Sequence, residues 1–189
     1  MPNWVTNKIE FSGAKANVDE VLEIIKGDGE VIDFNKIIPM PEDIFRGPVG
    51  RKERELYGEN NWYDWSCEHW GTKWNACDTY METEDILMFN TAWSVPLPIL
   101  DKLAELCYKH NVEFTGKWAD EDVGCNTGVF ESDNYGDEYW FGYEYMINQS
   151  DDAYEIYIEL CGENNCIGRD EDGTWIHYDC DECPNKERC

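Results

Sequence analysis

Positive charge is scarce in this chain: 15 lysines and arginines stand against 41 aspartates and glutamates in 189 residues, a formal net charge of −26. A field of that sign repels nucleic acid and anionic membrane, and attracts basic surfaces. The sequence also lacks any run near the ~20 apolar residues that a membrane span needs. Its first residues, Met1-Pro2-Asn3-Trp4-Val5-Thr6-Asn7-Lys8, have neither the basic region nor the apolar stretch of a secretory leader, so a cytoplasmic location is expected. There is no phosphate-cradling glycine loop, no Gly-x-Ser-x-Gly elbow and no His-Glu-x-x-His run. No reaction is assigned by motif.

What is present argues for an ordered protein. Aromatic residues make up 14% of the chain, with nine Trp, eleven Tyr and seven Phe, and 42% is apolar. A disordered acidic tail has neither property. The length suits one domain, or one with a small appendage, and folding hides roughly 70% of the surface at this size. The acidity is uneven. Residues 1–60 carry net −4, residues 61–110 net −5, and residues 111–189 net −17. A solubilising surface would account for charge of this sign, as would attraction to a basic partner.

Along the chain, Asn3 to Phe11 reads as a strand. A helix follows, with Asn17 as N-cap, Glu20 three residues on, and Val18, Val21, Leu22 and Ile25 on one face. Val31 to Ile38 reads as a second strand, closed by Pro39-Met40-Pro41. Residues 42–58 are polar, hold the only local cluster of bases, and are expected as an exposed loop. In the segment Asn60 to Gly71, Trp62, Trp65 and His69 share a helical face. Trp74 to Glu82 and Ile86 to Trp93 form a hairpin about Thr83-Glu84-Asp85. A helix opened by Pro96 and Pro98 buries Leu100, Leu103, Ala104 and Cys107, and Val112 to Trp118 is a strand. A further hairpin turns across Asp133 to Gly136, and Tyr154 to Leu160 alternates as a strand would. The order is an α+β, elaborated ferredoxin-like βαββαβ core with an inserted Trp-rich helix and extra β-hairpins. We expect this domain over residues 1–150, and a Cys-rich β-hairpin appendage over 151–189.

Three segments carry a family resemblance: Met1 to Asn7; Tyr57-Gly58 through Trp74-Asn75-Ala76; and Thr91-Ala92-Trp93-Ser94 with Pro96-Leu97-Pro98. They resemble the YubB-type ferredoxin-like proteins of phages and plasmids, over roughly residues 1–130. The resemblance implies the fold and a mobile-element origin. It implies no iron–sulfur cluster and no catalytic residue.

The cysteines carry the sharpest chemical pattern. Cys161-x4-Cys166 and, thirteen residues later, Cys180-x2-Cys183 are two close pairs at expected strand ends, the outline of a zinc ribbon. Nine cysteines in a reducing compartment are thiols or metal ligands. A structural Zn2+ held by Cys161, Cys166, Cys180 and Cys183 is therefore expected, with His177 and Cys189 as spare ligands, against the plainer reading of unligated thiols. The Trp-rich helix is expected in the core, with exposed interface anchors as the alternative. Cys67, Glu68 and His69 are adjacent on it and point different ways, so they form no dyad. Asp120, Glu121 and Asp122 lie beside Cys125 and two glycines, where a divalent cation or plain solvation would suit them.

These features converge on an acidic binding protein, encoded by a mobile element, that blocks a host nucleic-acid-handling defence complex of anti-CRISPR or anti-restriction type by mimicking nucleic acid. A chain of this length has a diameter of roughly 40 Å, and B-DNA carries one charge per ~1.7 Å of axis, so ~26 charges match a similar length of duplex. The expected partner is a basic nucleic-acid-binding protein or complex of the host, not nucleic acid or membrane directly. The candidate partner-binding carboxylates are Asp120, Glu121, Asp122, Glu131, Asp133, Asp137, Glu138, Asp151 and Asp152. Two other readings stand beside this one: a metal-dependent enzyme using the Asp120–Asp122 loop with His69, and a regulatory zinc protein whose acidity only solubilises it.

Overall fold

Alternation of buried and exposed residues along Trp4–Gly13 (β1) makes it the centre of the molecule, with Val5, Asn7, Ile9 and Phe11 on one face and Thr6, Lys8 and Glu10 on the other. The computed structural model describes residues 3–162 and 167–177. After β1 come helices α1 (Lys15–Ile25), α2 (Phe34–Ile37), α3 (Arg51–Tyr57) and α4 (Trp62–His69). Strands β2 (Cys77–Met81) and β3 (Ile86–Ala92) follow, then α5 (Leu97–Lys109), β4 (Val112–Asp120), β5 (Gly128–Tyr135) and β6 (Glu138–Tyr145). Helix α6 (Asp151–Cys161) and the small hairpin β7 (Ile167–Arg169) and β8 (Trp175–His177) complete the described elements.

The first six strands form one antiparallel sheet in the order β2-β3-β1-β4-β5-β6. Its first four positions reproduce the ferredoxin-like arrangement, and β5 and β6 extend it beyond β4. Register is continuous where it matters: Trp4 pairs with Ala92 and Val5 with Asp120, so β1 is held on both sides. Helices α1 and α5 cover one face. Val21, Ile25, Leu100, Leu103, Phe89, Phe114 and Trp118 are all buried in that layer. Helix α6 lies on the opposite face, where Tyr154, Ile156 and Tyr157 pack with Ala119, Val123 and Ile167. No helix among the described residues is long and apolar enough to cross a membrane.

Four local expectations are corrected. Val31 to Ile38 is not a strand. Asp33 caps a short helix instead, accepting a hydrogen bond from Asn35 N at 2.9 Å, while Asn75 Oδ1 takes Phe34 N at 2.8 Å. The second strand of the βαβ unit is β2, reached after the whole of residues 14–76. Within the expected loop 42–58, α3 forms, though none of its residues is buried. Tyr154 to Leu160 is helical. Ser150 Oγ accepts Ala153 N at 3.2 Å, Asp151 and Asp152 sit in the first turn, and Ala153, Ile156, Tyr157 and Leu160 supply a helical apolar face that coexists with the period-two pattern. The division expected at residue 150 thus falls at the head of a helix docked on the main sheet. Helix α1 begins at Lys15 rather than behind Asn17, with no side-chain cap.

Candidate functional site

The candidate carboxylates occupy different settings. Asp120 ends β4 and is buried. Its oxygens accept hydrogen bonds from Asp122 N at 2.9 Å, Asn126 Nδ2 at 3.0 Å and Asn3 Nδ2 at 3.4 Å. It organises the β4–β5 connection and is not offered to a partner. In the same connection Gly124 has φ +68° and lies against the Tyr154 ring, a place only glycine fills without strain. Glu121 and Asp122 are exposed there. Asp137 and Glu138 are exposed at the β5–β6 turn, Glu131 is exposed on β5, Asp133 is half-buried, and Asp151 and Asp152 are exposed on the first turn of α6.

The sheet face that carries α6 brings one of these groups, Glu131, into a groove, where it joins Glu10, Glu144 and Glu159, carboxylates the sequence did not single out. Register places Lys8 beside Lys117, Lys117 beside Val129, and Val129 beside Glu144. The next row runs from Glu10 through Thr115 and Glu131 to Gly142. Glu159 on α6 receives both lysines, Lys117 Nζ at 2.5 Å and Lys8 Nζ at 3.0 Å. Burial raises the Glu159 carboxyl, but the hydrogen bonds from Lys117 and Lys8 outweigh it, and the net displacement is downward. The Lys8 ammonium is raised in turn, chiefly by its bond to Glu159. Glu10, Glu131 and Glu144 make no ion pair among the described residues. Trp140 folds over Gly142, where any Cβ would collide with its ring. These residues line a groove of about 490 Å³ between α6 and β6.

A second cluster was not foreseen from the sequence. Lys73 places its ammonium 4.4 Å from the Trp74 ring centre, 4.8 Å from Trp93 and 5.8 Å from Tyr63. Arg54 lies 5.3 Å over Tyr63 and pairs with Asp64 at 3.2 Å. Lys73 makes no ion pair among the described residues, so ring faces alone hold it. Trp93 adopts φ +73°, its N–H donates to Asn3 O at 2.9 Å and its carbonyl accepts from Asn126 Nδ2 at 3.3 Å. This contact joins the cluster to the Asp120 network.

The other candidates do not assemble. His69 stacks on Trp65 at 4.4 Å, with Nδ1 3.0 Å from Trp65 O, and shares no partner with the Asp120–Asp122 loop. Burial, then Asp64, pushes the Cys67 thiol up, which suppresses its thiolate. Trp65 and Trp70 are buried, as expected of a core helix, and Trp62 is half-buried. Among the described residues no group of three His, Cys, Asp or Glu is placed to hold a metal ion. Of the expected zinc ligands, Cys161 is exposed at the end of α6, not at a strand end, with Sγ 3.9 Å from Thr6 Oγ1. Cys166, Cys180, Cys183 and Cys189 lie outside the described residues, as does the His177 side chain.

Strand order and helix placement define the chain as an acidic α+β protein built on a ferredoxin-like domain. Residues 69–159 match the family model described as the ferredoxin-like domain in Api92-like protein, a segment that runs from the end of α4 to near the end of α6. No curated protein and no solved structure matches the chain.

Proposed function

We propose that this protein binds a basic, nucleic-acid-handling protein or complex of a host cell in place of nucleic acid and so blocks it, acting as an anti-CRISPR or anti-restriction inhibitor. One observation carries the reading. On the groove face Lys8 and Lys117 both pair with Glu159, while Glu10, Glu131 and Glu144 are left unpaired among the described residues, so four carboxylates stand against two ammonium groups. A basic partner therefore meets net negative charge there, extended by exposed Glu121, Asp122, Asp137 and Glu138. The finer kinship with YubB-type proteins of phages and plasmids, and a cytoplasmic site of action, belong to the same proposal and rest on the sequence segments quoted above. So does a four-thiolate zinc in the tail, which rests on cysteine spacing.

The test is competition. Capture from host lysate at low salt, with partners identified by mass spectrometry, should yield a nucleic-acid-binding protein. Duplex DNA should displace it, and its affinity should fall as salt rises. A partner that holds DNA and this protein together, with affinity flat in salt, overturns the reading.

A further inference from the structure

Natural sheets blunt their edges with lysine, proline, bulges or very short strands, because an unpaired row of N–H and C=O groups recruits other chains. Strand β6 shows none of these devices; its only charges are Glu138 and Glu144, which oppose an acidic strand and not a basic one. Its eight residues, Glu-Tyr-Trp-Phe-Gly-Tyr-Glu-Tyr, contain no lysine and no proline. They pair with β5 in unbroken register from Tyr135↔Glu138 to Gly128↔Tyr145. Strand β6 is last in the sheet, and among the described residues nothing pairs with its outer edge. Large rings stay in solvent along it: Trp140 is 43% exposed, Tyr143 53% and Tyr145 52%.

We infer that the free edge of β6 accepts an extended basic segment of a partner protein as a seventh strand. Main-chain hydrogen bonds supply such an addition with affinity, and alternate side chains supply its specificity. The choice of a basic occupant comes from charge. From Trp118 to Gly168 the sequence contains no lysine, arginine or histidine, and 13 aspartates and glutamates. Strand β6 lies inside that stretch. Arginines or lysines at alternate positions on the groove side of the added strand meet Glu138, Trp140 and Glu144 in turn, two carboxylates and a ring face suited to a cation. On its other side the added strand meets Tyr143 and Tyr145. A second copy of this chain is opposed by the same charge, since each copy carries −26. This inference rests on the proposal that the partner is basic, and adds how the partner is gripped.

The experiment uses the full chain and an end-capped octapeptide of alternating arginine and valine, with two versions N-methylated at alternate amides in opposite phase. Amide shifts on titration should concentrate at residues 138–145. One methylated phase should bind roughly tenfold more weakly than the parent, and the other about equally, because only one set of amides faces the edge. The E138K/E144K double variant, altered only at exposed positions, should also lose binding. If both methylated peptides bind like the parent, or the shifts fall elsewhere, strand addition is wrong. Retained salt sensitivity in that case leaves the proposed function standing. Sedimentation showing a dimer that E138K/E144K disrupts would assign the edge to self-association instead.

Discussion

Single residues in this protein divide into those buried in its hydrogen-bond networks and core and those left exposed, and net charge does not separate them. Asp120 belongs to the first group. Replacing it with alanine strands three donors at the β4–β5 connection and should cost about 1–3 kcal/mol, read from urea denaturation. An unchanged midpoint would show that the network is not formed in solution. Trp65, stacked on His69 and edge-on to Trp70, should cost about 3–5 kcal/mol when truncated to alanine. Should the melting point hold while partner binding vanishes, Trp65 is an interface anchor. Cys107, fully buried on the inner face of α5, has its thiol pushed from 9.0 up to about 12 by burial. Because the folded value is raised, its contribution to stability is complete below about pH 9 and is lost as pH climbs toward 12. Cys107→Ala should flatten the alkaline limb of the stability–pH curve.

At the scale of elements, α6 is the piece whose attachment can be titrated. The Glu159 carboxyl is displaced downward overall, so its pairing with Lys8 and Lys117 supports the fold above the ordinary carboxyl range and fades as pH falls through the folded value. Glu159→Gln should therefore cost about 0.5–1 kcal/mol at neutral pH and nothing in acid, since the groups are part-exposed. A difference that persists at low pH would mean the residue acts by packing. The same helix shows where sequence reasoning ends. Tyr154, Ile156, Ile158 and Leu160 alternate as in a strand, and Ala153, Ile156, Tyr157 and Leu160 repeat as in a helix; Ser150 and two first-turn aspartates decide the matter. Residues 31–38 were misread for a different reason, because the hydrogen bond that fixes Phe34 runs from its N–H to Asn75 Oδ1, 41 residues away. Strand β1, the β2–β3 and β5–β6 hairpins and α5 were legible, since their periodicity and turn residues are local. The Lys73 cluster was not, because Tyr63, Trp74 and Trp93 meet only once the sheet has formed.

On the scale of the whole molecule, charge acts collectively. Single carboxylate changes should each move affinity little, since rim charges chiefly tune association rate. Reversing exposed Glu121, Asp122, Glu131, Asp137 and Glu138 together to lysine should abolish partner binding while leaving the urea midpoint near its original value. Asp120 is excluded from that set by its burial. If the fivefold variant still binds the captured partner, the acidic surface is not the grip. The position of β1 has a consequence of another kind. It precedes the other described strands, yet its neighbours in the sheet, β3 and β4, begin only at Ile86 and Val112. During synthesis the future centre of the sheet waits for β3 until residue 92 has been made, and for β4 until residue 120. Pairings this distant in sequence close slowly. Nascent chains cut short before residue 112 should therefore depend on chaperones, and α1, whose apolar face folds back onto β1, becomes the strand's only early cover.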